Sequence, residues 1–146
     1  MELTEAFDEL AARVRRAVVG VDRRAKLEIS DRPLGPVPDG GLRVALVFGC
    51  WPAQLRADAV VPAADPGRVG ALIESAARQE LPVVEWSLHG IAEMPTSHRE
   101  RARWLVSAAR KARPARIVVD AASLGVESRQ RLRAEVRRLR TRNEIG

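Results

Sequence analysis

The chain has 146 residues, 46% of them hydrophobic and 3% aromatic, with 25 basic and 19 acidic side chains for a net charge of +6. That length suits one domain with a core of its own, and the apolar fraction excludes disorder as the default state. No apolar run approaches the roughly 18 residues that span a bilayer, the acidic start Met1-Glu2-Leu3-Thr4-Glu5 lacks the pattern of a secretion signal, and the lone Cys50 cannot close an internal disulfide, so the expectation is a cytoplasmic protein with no membrane partner.

Leu3, Phe7, Leu10, Val14 and Val18 recur at three- to four-residue spacing. This predicts an amphipathic helix over about residues 3–19, stopped by Gly20. Ala25 to Ser30 predicts a short edge strand. Residues 31–41 contain three prolines and three glycines and read as a loop. The expected organisation is therefore a helix and edge strand over 1–30, the loop over 31–41, and an α/β core over 42–146, forming one domain.

Leu42 to Phe48 is apolar except for Arg43, which fits a strand covered on both faces. Ala57 to Pro62, Leu81 to Trp86 and Arg116 to Asp120 predict three more strands. Asp65-Pro66 supplies an N-cap and a first-turn proline for a helix reaching about Gln79. Ser97 and Glu100 have capping-box spacing before a helix over about 98–112. A last helix is expected over about 126–141, with Leu132, Val136 and Leu139 on its apolar stripe.

This alternation predicts right-handed βαβ units. The expected fold is a small three-layer Rossmann-like α/β domain. Its mostly parallel sheet has four to five strands with helices on both faces, preceded by the amphipathic helix. Gly49 to Arg56 is short for a parallel crossover, which leaves the placement of the strand Ala57–Pro62 open.

Two local resemblances bear on this reading. Asp58-Ala59-Val60-Val61 through Leu81-Pro82-Val83-Val84 resembles the βαβ unit of sugar-binding repressors and periplasmic binding proteins, and implies fold only. Leu88-His89-Gly90 after a strand is similar to the LHG tripeptide of small MutS-related nuclease domains. The glycine-rich segment of that family is missing after Val119, where the chain reads Asp120-Ala121-Ala122-Ser123-Leu124-Gly125.

Neither GxxxxGK[ST] nor GxGxxG occurs, so no cofactor is named by motif. Ligands of open parallel sheets sit beyond the carboxyl ends of the strands. That rule gathers Cys50 and Trp51 after the first core strand, Gly67 and Arg68 after the second, Glu85, Trp86, Ser87 and His89 at the third, and Asp120 at the fourth. In a catalytic reading, Cys50 is a nucleophile, His89 its base, and Glu85 or Asp120 the orienting carboxylate. In a structural reading, Cys50 is a small buried residue and His89 a loop residue. Trp51, Gly67, Arg68 and Trp86 are the ligand-binding candidates. Asp65 competes for the positive helix start beside Gly67. Cys50, His89 and His98 match no metal-ligand spacing, and no metal is expected.

Charge is unevenly placed. Residues 97–146 carry 14 basic and five acidic groups, whereas residues 1–96 carry 11 and 14. Arg129, Arg133, Arg137 and Arg140 flank one side of the last apolar stripe and would face nucleic-acid phosphates without reading base sequence. Their other reading is a solvated face whose arginine stems cover apolar surface. Three functions follow as expectations. The first is binding or catalysis on an anionic small molecule at the sheet rim. The second is RNA or DNA association through the arginines. The third is an interaction or assembly module, including a homo-oligomer.

Overall fold

The structure is a computed structural model that describes residues 26–32, 34–35, 41–49, 55–94 and 96–145. Five strands form one all-parallel sheet: β1 (Leu27–Ser30), β2 (Leu42–Phe48), β3 (Ala59–Ala63), β4 (Val83–His89) and β5 (Arg116–Asp120). Their order across the sheet is β1-β5-β4-β2-β3. The described residues also form three α-helices, α1 (Pro66–Arg78), α2 (His98–Ala112) and α3 (Val126–Ile145). The Rossmann-like α/β reading is therefore correct. The expected helix over residues 3–19 lies outside the described residues.

Local chemistry sets the helix starts. The Asp65 side chain accepts from Gly67 N–H at 2.9 Å, and Pro66 occupies the first turn where its missing N–H costs nothing. Ser97 Oγ accepts from Glu100 N–H at 3.2 Å and starts α2. Right-handed crossovers that step in the same direction place their helices on one face. The step β3–α1–β4 and the step β4–α2–β5 run the same way, and one core unites their faces with α3. Leu42, Val44, Leu46 and Phe48 of β2, Trp86 and Leu88 of β4, and Ile117 and Val119 of β5 pack there against Ile73, Leu105 and Leu132. Phe48 meets Trp104 edge to face at 6.2 Å, and Trp104 Nε1–H donates to Pro66 carbonyl, which ties α2 to the start of α1.

The opposite face of the sheet is different. It presents Arg43, Ala45 and Val47 from β2, Glu85, Ser87 and His89 from β4, and Arg116, Val118 and Asp120 from β5. These side chains form rows across the strands; one end row is Arg43, Glu85 and Arg116, and the other holds His89 and Asp120 beside Val47. Burial of polar groups is tolerable only when they are paired, and both end rows meet that condition.

Both sheet edges are protected. In β1 the carbonyls of Lys26 and Ser30 accept from Ile117 and Ala121 N–H, so those of Leu27 and Ile29 point outward. Arg140 donates to Leu27 carbonyl at 3.1 Å and Arg133 to Ile29 carbonyl at 3.2 Å. The other edge strand, β3, carries Pro62, which has no N–H to offer a new strand.

Candidate functional site

The third core strand runs three residues further than expected. Leu81 to Trp86 reads as its extent in the sequence, but β4 ends at His89. Ser87 and His89 look like the polar start of a turn. They are instead the inward residues of the second face, at period two with Glu85. This shift reassigns the nearby candidates. Glu85 is mid-strand, and Trp86 points into the helix-side core, where it is buried. His89 is the last residue of the strand, at the carboxyl rim.

Glu85 has a structural role in the described residues. It sits directly between Arg43 and Arg116 on the neighbouring strands. One carboxylate oxygen accepts from Arg43 Nε, and the other accepts from Arg116 Nε at 2.7 Å. Arg43 also donates to the carbonyls of Gly35 and Arg56 at 2.7 and 3.1 Å. The buried carboxylate therefore holds two loops to the sheet. At about 3.3 Å rise per residue, Glu85 lies about 13 Å from His89 along the strand. It cannot orient the His89 ring.

Asp120 does reach that ring. His89 Nδ1 lies 3.1 Å from Asp120 Oδ2, and His89 Nε2 lies 3.0 Å from Ser87 Oγ. Asp120 Oδ1 accepts from the Ala122 N–H at 3.1 Å. The hydrogen bond from His89 holds the Asp120 carboxyl below its ordinary pKa; burial opposes this, and the Ala122 N–H and the His89 charge add to it. An ionised Asp120 can only accept, so Nδ1 carries the proton in a neutral ring. His89 is 5% exposed and Ser87 0%.

This line has the atom order of a Ser-His-Asp triad, but not the surroundings of a nucleophile. Ser87 is fully enclosed, and the interior strand beside it uses its N–H groups in the ladder. Among the described residues no free donor pair stands ready for an oxyanion. The arrangement suits hydrogen bonding and proton exchange at His89 better than acyl transfer.

His89 also stands beside the topological switch point. The chain leaves β2 toward β3 and leaves β4 toward β5, so their carboxyl ends diverge. Gly49 and Gly90 follow these two strands with φ of +75° and +71°. A side chain at Gly90 would overlap the carbonyl oxygen of Phe48, and one at Gly49 would come within 2.6 Å of Glu93 Cγ. Glycine is needed at both places for the chain to turn over the rim. Cys50 and Trp51 lie outside the described residues.

The remaining candidates are placed elsewhere. Gly67 and Arg68 sit at the exposed start of α1, where Asp65 accepts from Gly67 N–H and lies 3.9 Å from Arg68 Nε. Of the four candidate arginines on α3, Arg133 and Arg140 bind the edge of β1. Arg129 lies 3.6 Å from Asp31, and Arg133 also pairs with Asp31. Arg137 lines a groove between β1 and α3 with Leu27, Ile29 and Val136. Among the described residues no cluster of His, Cys, Asp and Glu has the makings of a metal site, and no helix is long and apolar enough to cross a membrane. Ser87 is the residue whose part the sequence reading missed; its signal is the alternation Glu85, Ser87, His89.

Compared with protein-family models, curated proteins and solved structures, the chain matches none.

Proposed function

We propose that this chain binds a small anionic molecule at the carboxyl rim of β2, β4 and β5, with His89 as the proton-exchanging group of the site. The observation that carries this reading is the hydrogen-bonded line Ser87–His89–Asp120 beside the switch point. A carboxylate on one nitrogen and a hydroxyl on the other fix the ring's tautomer and orientation, as proton transfer requires. Parallel topology supports an anionic ligand. α1 and α3 begin shortly after the carboxyl ends of β3 and β5, so the positive ends of these two helix dipoles lie on the same side of the sheet as the rim.

The test is calorimetric titration with inorganic phosphate, a nucleoside monophosphate and a small dicarboxylate. Saturable binding of at least one, lost in His89→Gln and retained in Arg137→Ala, is the expected result. Binding unaffected by His89→Gln would remove His89 from the site. Saturable binding lost in Arg137→Ala instead would move the activity to the α3 surface.

A further inference from the structure

We infer that Ser87 is a positioning residue that keeps Nε2 of His89, the nitrogen turned away from Asp120, partnered in both of its protonation states. The inference deepens the rim reading and rests on His89 being the proton carrier there. Its physical content is a donor–acceptor assignment in the free protein.

Asp120 fixes the tautomer of the ring. Its Oδ1 accepts from the Ala122 N–H, and its Oδ2 faces His89 Nδ1 at 3.1 Å. A carboxylate offers only lone pairs, so the proton on the neutral ring lies at Nδ1 and Nε2 carries a lone pair. Ser87 Oγ is 3.0 Å from that lone pair. The serine must therefore donate its O–H to Nε2. A hydroxyl is the one small side-chain group that can also turn and accept. When Nε2 gains a proton, Ser87 rotates about its C–O bond and accepts from Nε2–H. His89 thus changes charge without leaving a buried polar atom unpaired, a situation that would otherwise be costly.

The surroundings leave this task to Ser87 among the described residues. Across the strands, Ser87 is flanked by Ala45 and Val118, which offer no hydrogen bond, and His89 by Val47 on β2 and Asp120 on β5. Asp120 is the charged group bonded to the ring, and Glu85 is engaged by Arg43 and Arg116. An alanine at position 87 would leave Nε2 facing an apolar row.

The experiment is long-range proton–nitrogen NMR of the two histidine rings in the intact, ligand-free protein, with His89→Gln identifying the His89 signals. In the neutral ring, Nδ1 is expected to be the protonated nitrogen and Nε2 the bare one. Ser87→Ala should move the Nε2 resonance downfield, as a lone pair that loses its donor does. Ser87→Thr, which keeps the hydroxyl, should leave it near the wild-type position. A wild-type ring protonated at Nε2, or an Nε2 resonance unmoved in a folded Ser87→Ala, would overturn the assignment. Should Ser87→Ala not fold, the wild-type tautomer and the Thr variant still decide. These signals are read without ligand, so failure of the anion titration leaves this result standing, and the reverse holds too.

Discussion

His89 Nδ1 and Asp120 Oδ2 stand 3.1 Å apart on adjacent parallel strands, each the last residue of its strand. This one contact joins β4 to β5 at the rim, fixes the ring and lowers the carboxyl pKa. The same contact makes part of the stability depend on pH. Above the ordinary aspartate value near 4, Asp120 is ionised whether the chain is folded or not, and its contribution is complete. As pH falls below about 4, the unfolded chain takes up its proton first and the contribution shrinks; it is gone below the lowered folded value. Urea unfolding through the acid range should show a steeper loss for the wild type than for Asp120→Asn. Equal slopes would mean that Asp120 is not held below its ordinary value.

The ion triad around the buried Glu85 predicts a second outcome. Glu85 is 1% exposed, with Arg43 and Arg116 on either side. Removing one partner of a buried pair strands the other charge, at a cost of about 3–5 kcal/mol. Glu85→Ala should lose that much by denaturant unfolding, a large part of the roughly 5–15 kcal/mol that holds a domain folded. The double variant Arg43→Met, Glu85→Met should recover part of the loss. Recovery would separate the stranded charge from the packing as the cause.

Glycine at position 90 is required, whereas glycine at 125 is not. Gly90 combines φ of +71° with the Phe48 carbonyl where a Cβ would stand. Left-handed backbone alone costs an L-residue about 1–2 kcal/mol, and the overlap adds to it. Gly125→Ala meets nothing within 4 Å and no positive φ. Thermal unfolding should therefore show a clear drop for Gly90→Ala and little change for Gly125→Ala.

The arginines of α3 predict a change in association state. Arg133 and Arg140 occupy the outward carbonyls of β1. Replacing both by alanine exposes an unpaired strand edge, the kind that recruits other chains. Light scattering should show concentration-dependent association of Arg133→Ala, Arg140→Ala beyond that of the wild type. An unchanged scattering profile would mean that the edge is protected by something else.

Much of the fold was legible because its signals are local and strong. The apolar run Leu42–Phe48, the Asp65-Pro66 start, the Ser97 cap and Arg116–Asp120 each carry their own pattern, and the structure has them within a few residues. The end of β4 was less legible, because a serine and a histidine at a strand's end look like a turn until their buried partners are known. The site suffered from the same boundary. The rim rule picks His89 and Asp120, which do meet, whereas it picks Glu85 and Trp86 only for a strand ending at Trp86, short of the real end at His89. The roles of Arg43, Arg133 and Arg140 are set by strand order. A positive side chain has no local mark that separates a buried ion pair or an edge cap from a solvated surface.

Binding of an anionic ligand at the carboxyl rim around His89 is what the proposed function requires. It is tested most directly by amide and histidine-ring spectra recorded during titration with phosphate and with a nucleoside monophosphate. Saturable shifts gathered at Gly49, His89, Gly90 and Ala122 are the predicted result. Shifts confined to α3, or none that saturate, would contradict it.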